Sequence, residues 1–342
     1  MLSKSPIKTP LSLDDTVSFL RAAGEPTRMR LLVLLSRADL TVSEVTEIMG
    51  QSQPRVSRHL RLLVEAGLAE RYSEGAWAYF RAKDQGASAK FRRFVLGQID
   101  VDDEVLVGDL ERLEKIKQRR ADRAAEYFSE NASSWDTIRS LQMPEELVEA
   151  RMHEIIGEEQ VDNLLDLGTG TGRMLELFAP IAGRAIGLDA SKDMLAIARA
   201  NLQQDDFSHV QVRQGNVYQL PMGRDTFDLV ILHQVLHFLD DPAAVLREVA
   251  KVLRPAGRLL IVDFATHGLD FLREQHAHQR LGFSHDQMNA WLAECGLEVS
   301  HVSDLQPEPA EDEKLTVSFW LAHDQRVLMA EPVNPLPKEA IA

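Results

Sequence analysis

Through the first hundred residues apolar positions recur every three or four places, as on short amphipathic helices, before giving way to two alternating runs. Residues 14–23 and 26–36 read as two helices, the second opened by Pro26 and carrying Met29, Leu32, Val33 and Leu35. Thr41 caps a short helix, 42–49, with Glu44 as its capping-box partner and Gly50 at its end. After a tight turn Ser52 caps a further helix that tolerates Pro54 in its first turn, runs to Ala66 and stops at Gly67. Val56, Leu60 and Leu63 share one face of it, so Arg55, Arg58 and His59 are expected to project together from the other, with Arg61 in reach of a phosphate. Residues 68–72 and 77–81 alternate as strands around Ser73-Glu74-Gly75-Ala76, a β-hairpin.

From Val161 onward apolar runs alternate with helical patterns, which predicts a doubly wound, mostly parallel α/β sheet with its ligand at the strands' C-terminal ends. The expected strands are 161–167, 184–188, 210–214, 227–232 and 258–263, with 297–305 and 315–322 closing the sheet as a hairpin. The first leads into Gly168-Thr169-Gly170-Thr171-Gly172, where glycines let backbone approach a ligand and leave the next helix's N–H groups free. Asp189 ends the second strand, placed to accept from both hydroxyls of a ribose, as in a site for NAD or for S-adenosylmethionine. The third ends in Gly215-Asn216-Val217 and the fourth in His233-Gln234-Val235-Leu236-His237, while Leu253-Arg254-Pro255-Ala256-Gly257 precedes the fifth.

Between these halves, Phe91, Phe94, Val95 and Leu96 form an apolar helix suited to pairing with its twin in a homodimer. Residues 102–127 are highly charged, with Val105, Leu106, Leu110, Leu113 and Ile116 at helical spacing, and read as a helical connector or equally as a solvated spacer. The expected organisation is a winged helix domain over 1–98, a connector over 99–127, an α/β domain over 128–322 and a flexible tail over 323–342. The acidic, Pro-containing stretches 306–314 and 330–342 read as a loop and a disordered tail.

Composition sharpens this division. With 342 residues, 44% hydrophobic and 27% charged, the chain has material for two buried cores. Its net charge of −15 is uneven: residues 1–100 hold 15 Lys and Arg against 11 Asp and Glu, so the basic patch that DNA needs lies in the first segment. The lone Cys295 excludes an intrachain disulfide and any cysteine-rich metal cluster. No run is apolar enough for a membrane span and the N-terminus has no apolar h-region, so the expected location is the cytoplasm.

Three segments, Ala23-Gly24-Glu25-Pro26-Thr27-Arg28, Ser52-Gln53-Pro54-Arg55-Val56-Ser57-Arg58-His59-Leu60 and Glu65-Ala66-Gly67-Leu68, occur in the order and spacing of the ArsR/SmtB family, which residues 13–98 resemble. The resemblance implies a dimeric winged helix-turn-helix repressor that binds operator DNA, here through Ser52, Gln53, Arg55, Ser57, Arg58, His59 and Arg61. Metal-sensing members carry a cysteine motif where this chain reads Thr41-Val42-Ser43-Glu44-Val45-Thr46-Glu47-Ile48, and no histidine occurs between His59 and His153, so no metal is expected. The wing tip has Ala76 where the family often has a basic residue.

The order of motifs over residues 128–322 resembles class I methyltransferases, particularly the ubiquinone and menaquinone biosynthesis group, and implies S-adenosylmethionine as cofactor with S-adenosylhomocysteine as product or effector. By that resemblance Asp166, Gly168, Gly170 and Gly172 surround the methionine part, Asp189 holds the ribose, Met194, Asn216 and Val217 line the adenine, and His233 closes the pocket. The family usually has Asp where Asn216 stands; the amide oxygen retains the ability to accept from the adenine amino group. Candidates for a base that takes a proton from a small-molecule methyl acceptor are His233, His237, Asp263, His276 and His278, each of which also has a structural reading. DNA as acceptor is disfavoured because His233-Gln234-Val235 stands in place of an Asp- or Asn-Pro-Pro-aromatic motif, and arsenite because one cysteine cannot hold it. Two functions follow: a regulator whose methyltransferase domain senses the ratio of S-adenosylmethionine to S-adenosylhomocysteine, this fusion resembling repressors of methionine-cycle genes that respond to S-adenosylhomocysteine, or an active small-molecule methyltransferase that autoregulates its operon. A degenerate domain kept for dimerisation is a third, opposed by the intact glycine loop and Asp189.

Overall fold

The computed structural model describes residues 12–74, 77–83, 86–100, 102–135, 143–204, 207, 209–306 and 315–326. The wing tip Gly75-Ala76, residues 307–314 of the acidic loop and the tail 327–342 lie outside the described residues. The chain forms two compact units. The first runs to Glu130 and takes in His237–Asp241 and Thr266–Gly282; the second comprises Asn131–Leu236, Pro242–Ala265 and the chain from Phe283.

In the first unit the sequence's caps set the helices. Ser12 accepts from the Asp15 N–H to start α1 (Leu13–Ala23), and the Glu25 carboxylate accepts from Arg28 N–H at 2.9 Å ahead of α2 (Pro26–Leu35). Strand β1 (Leu40–Thr41) leads into α3 (Val42–Met49), whose capping box joins Thr41 and Glu44 reciprocally and whose end is Gly50 in the left-handed region. Ser52 occupies the N-cap position of α4 (Gln53–Glu65), but its hydroxyl makes no capping hydrogen bond, contrary to expectation. Strands β2 (Ala69–Glu74) and β3 (Trp77–Ala82) pair antiparallel, and the three-stranded order is β1-β3-β2.

Helix α5 (Gly86–Leu96) buries Phe91 against Phe19, ring centroids 5.3 Å apart, and leaves Phe94 70% exposed, so the predicted apolar stripe is split between core and surface. The charged segment forms α6 (Glu104–Asn131), which is no solvated spacer: its Leu113 and Ile116 belong to the core of Leu31, Leu34, Leu40, Ile48, Leu60 and Leu63. Asp109 on α6 is fully buried, gripped by Arg30 Nε at 2.6 Å and Nη2 at 2.8 Å and by Arg112 Nη2 at 2.6 Å. A buried carboxylate held by two guanidiniums fixes the helix in one register, since losing either partner strands a charge.

The second unit is built on a seven-stranded sheet ordered β6-β5-β4-β7-β8-β10-β9, from β4 (Val161–Leu167), β5 (Ala182–Asp189), β6 (Val210–Gln214), β7 (Phe227–His233), β8 (Leu253–Phe264), β9 (Leu297–Leu305) and β10 (Val317–Asp324). Strands β4 to β8 run parallel and β10 is antiparallel to β8 and β9, the arrangement of the class I methyltransferase fold. The chain winds outward in opposite directions from β4 and β7, so a crevice opens beyond their C-terminal ends. Strand β8 begins five residues earlier than the sequence suggests. Phe227 pairs with Leu253 and Leu229 with Arg258, so the stretch read as a turn is a bulge in the strand, with Ala256 at φ 62°.

Candidate functional site

The crevice is shaped by the loop after β4. Gly168 N–H and Thr169 N–H both donate to Leu188 O, at 2.7 and 3.1 Å, folding the loop across the end of β5. Gly168 has φ 71°, and a Cβ there would lie 2.9 Å from Val235 Cγ1 and closer still to Cγ2, so only glycine lets the loop rest on the residues that follow β7. Gly170, at φ 53°, donates its N–H to Asp189 Oδ2 at 2.9 Å, while Ser191 N–H donates to Oδ1 at 2.8 Å. Gly172 stands at the N-cap of the helix Arg173–Phe178. Burial raises the Asp189 pKa against the opposing pull of the N–H groups of Ser191, Gly170 and Ala190.

The remaining predicted cofactor residues gather at the same strand ends. Asp166 is buried on β4 beside this loop, and Met194 is buried in the first turn of the helix Lys192–Gln204, its N–H donating to Ser191 Oγ at 3.2 Å. Asn216 is exposed after β6, its Oδ1 accepting from Tyr218 N–H at 2.9 Å, with the half-buried Val217 beside it. His233 is buried at the end of β7.

Sequence reasoning missed three neighbours. The Trp135 indole stands over Gly170, its Nε1 3.7 Å from where a Cβ would be, and a lone tryptophan after a long charged helix carries no periodic signal. Gln234 adopts φ 53° and Val235 packs on Gly168. The cause of this sharp turn is Asp263, fully buried, whose Oδ2 accepts from Leu236 N–H at 3.0 Å and Oδ1 from Phe264 N–H at 2.8 Å, with Gln234 N–H bonded to Val262 O at 2.7 Å.

Of the five candidate bases, His233 and Asp263 lie in the second unit and His237, His276 and His278 in the first. His237 and His278 are buried side by side, ring centroids 4.2 Å apart and tilted by 35°, and the Tyr127 hydroxyl and His276 Nδ1 are 2.7 Å apart. Burial, seconded by neighbouring imidazoles and Arg273, pushes His278 well below its ordinary value; burial also lowers His276 and pushes Tyr127 up to about 12.

On α4, Val56, Leu60 and Leu63 are fully buried, and Gln53, Arg55, Arg58 and Arg61 are exposed with Ser52, while Ser57 is half-buried. His59 departs from the expected face. Its side chain is 14% exposed and its Nδ1 lies 3.6 Å from Glu25 Oε2, because at 100° per residue it falls on the flank beside Val56 and Leu63. Burial, with the charges of Arg28, Arg55 and Arg58, outweighs Glu25 and lowers its pKa. Arg61 instead joins Arg55 and Arg58, its Nε 3.3 Å from Glu65. Among the described residues no three His, Cys, Asp or Glu side chains stand where they could hold a metal, and no helix is long and apolar enough to cross a membrane.

Residues 25–71 match the model of the bacterial regulatory proteins of the arsR family, and residues 165–261 match that of the methyltransferase domain. The uncharacterized methyltransferase YcgJ of Bacillus subtilis is 33% identical over 137 residues, 40% of this chain and 53% of that protein. The demethylmenaquinone methyltransferase of Lactococcus lactis is 31% identical over 148 residues, 42% of this chain and 58% of that one. A chain from the complex between the Haloferax volcanii Trm112 methyltransferase activator and a methyltransferase superposes with a TM-score of 0.51 at 20% identity, covering 60% of this chain and 100% of that one. The chain thus spans somewhat more than half the length of the curated relatives it matches. It joins an ArsR-family helix-turn-helix segment to a methyltransferase domain on one polypeptide.

Proposed function

We propose that this protein is a DNA-binding transcriptional regulator whose methyltransferase domain binds S-adenosylmethionine and S-adenosylhomocysteine, and whose operator affinity depends on that occupancy. The observation that carries the ligand half is the seat of Asp189: a carboxylate fixed by Gly170 and Ser191 N–H groups at the end of β5, beside the glycine loop. Each Asp189 oxygen keeps lone pairs for the two ribose hydroxyls, and the Gly168–Gly172 backbone, with Asp166, surrounds the methionine part. Met194, Asn216 and Val217 take the adenine and His233 closes the crevice. The cofactor, when bound, supplies an electrophilic methyl group; the chain's part is to orient it and shield it from water.

For DNA, α4 enters a major groove with Arg55 and Arg58 toward base edges and phosphates and Arg61 toward phosphate. Gln53, Ser52 and Ser57 stand at the start of that helix, and His59 supports it from the side through Glu25. The protein acts in the cytoplasm as a homodimer, the state a two-fold operator demands, with the exposed Leu13, Leu20 and Phe94 as apolar surface for pairing.

A second reading, catalysis on a small-molecule acceptor by an autoregulating enzyme, is favoured by His276 and His278, whose pKa burial lowers, in the segment that follows β8. Calorimetry with both ligands tests the shared premise. Wild type should bind them and Asp189→Ala should bind at least ten-fold more weakly; equal dissociation constants would remove the assignment.

A further inference from the structure

Two segments inserted after β7 and β8, His237–Asp241 and Thr266–Gly282, belong to the same compact unit as the helix-turn-helix. Arg280, buried to 7% exposure, joins them to it: Nη1 donates to Asp39 Oδ2 at 2.9 Å and toward the Tyr72 hydroxyl at 3.4 Å, and Nη2 donates to Asp240 O at 2.6 Å. Asp39 lies immediately before β1, and Tyr72, on β2, donates its own hydroxyl to the same Asp39 oxygen at 2.7 Å. Tyr79, paired across the hairpin with Tyr72 and stacked on it at 5.7 Å, carries the Arg273 guanidinium over its ring at 5.1 Å. Arg120 of α6 adds a second tie, bonded to Asp240, to Asp39 O at 3.3 Å and to Glu44 Oε1 at 2.6 Å, the carboxylate of the α3 capping box.

Asp39 and both hairpin tyrosines thus each meet a group from the post-β8 segment, and Asp39 meets α6 as well. The hairpin is the wing, and an Arg shared by a carboxylate, a phenol and a carbonyl fixes direction as well as distance. We propose that Thr266–Gly282 is the relay between the strand end of β8 and DNA: Arg280 clamps Asp39 and Tyr72, the seated clamp preorganises the wing, and a ligand that reorders the segment changes DNA affinity by loosening it. This rests on the reading of the protein as a DNA-binding regulator. The segment leaving β8 contributes two residues to the clamp, Arg273 and Arg280.

The test uses the full chain, a duplex selected in vitro on the wild type, and Arg280→Ala, Arg280→Lys, Asp39→Asn and the Ala/Asn double variant. DNA affinity at fixed salt should fall at least five-fold in R280A, less in R280K, which keeps the charge without the fork, and no further in the double variant than in the weaker single one. Amide exchange in residues 69–74 and 77–82 should quicken in R280A while α3 stays protected, which also certifies the fold. Affinity and wing exchange within two-fold of wild type in R280A, or strictly additive losses in the double variant, would overturn the clamp. Failure to select any duplex would refute the DNA-binding reading instead, and the exchange measurement would still judge the clamp. S-adenosylhomocysteine is the ligand probe: a ligand that must loosen the clamp should bind R280A at least as tightly as wild type, and a loss of more than two-fold would contradict a clamp separate from the cofactor site.

Discussion

At the ends of β4 and β5 the groups proposed to meet the cofactor are a glycine loop in the left-handed region and one carboxylate, Asp189, locked by hydrogen bonds of 2.8 and 2.9 Å. On α4 the corresponding groups are the ends of long arginine side chains, exposed and carried by a helix whose only fixed face is the buried Val56, Leu60 and Leu63. A small molecule is held by shape set before it arrives; a phosphate backbone is met by charge that settles on contact. Changes to the first region should act through sterics and strain, and changes to the second through charge and salt.

The largest effect is expected at Gly168. Alanine there meets Val235 and takes an unfavourable φ, which should cost on the order of 2–4 kcal/mol of stability and more than about 100-fold in cofactor affinity, while DNA affinity without ligand holds. A normal isotherm for Gly168→Ala would show that the loop is not shape-limited. Next, Arg55→Ala with Arg58→Ala should weaken DNA binding about 10- to 100-fold at fixed salt and lower the slope of log affinity against log salt by roughly 1 for each phosphate deprived of its arginine, leaving calorimetry with S-adenosylmethionine unchanged. An unchanged salt slope would move the DNA face elsewhere.

Two smaller effects concern pH. Burial raises the Asp189 pKa above 3.8, so ionisation is disfavoured in the ligand-free fold, whose stability contribution from this group falls as pH rises through that raised value. Cofactor binding has the opposite sign, because ribose hydroxyls donate to the ionised form. Affinity should therefore decline on acidification at a pH above 3.8 and follow Asp189; Asp189→Asn should bind weakly with a flat profile, and a sloping one would assign the titration to another group. His278 is depressed well below 6.5, so the unfolded chain binds its proton first as pH falls. Stability is fully present above 6.5 and declines below it, and His278→Gln should flatten that decline by a few degrees in Tm; identical melting profiles from about pH 7 to 5 would discount the imidazole pair.

Local chemistry made much of this legible. Thr41, Glu44 and Gly50 specify both ends of α3 by themselves, and the apolar runs of β4 and β6 coincide with their strands because each is bounded by a turn that no side chain can override. Partners distant in sequence were not legible. The charged α6 looks solvated until Arg30, seventy-nine residues away, meets Asp109. His59 shares the arginines' stretch of sequence but not their face, since its helical phase puts it on the flank beside Val56 and Leu63. The start of β8 hides in a bulge, and the grouping of His237, His276 and His278 depends on two insertions returning to the same unit.

For ligand on the methyltransferase domain to alter DNA binding, it must bind DNA-competent and incompetent forms unequally. The most direct measurement is the affinity of the full chain for its selected duplex at fixed salt, alone and with saturating S-adenosylmethionine or S-adenosylhomocysteine. A shift of at least several-fold is expected with one of them. Equal affinities, with calorimetry showing both ligands bound, would contradict ligand-dependent regulation and leave the autoregulating methyltransferase in its place.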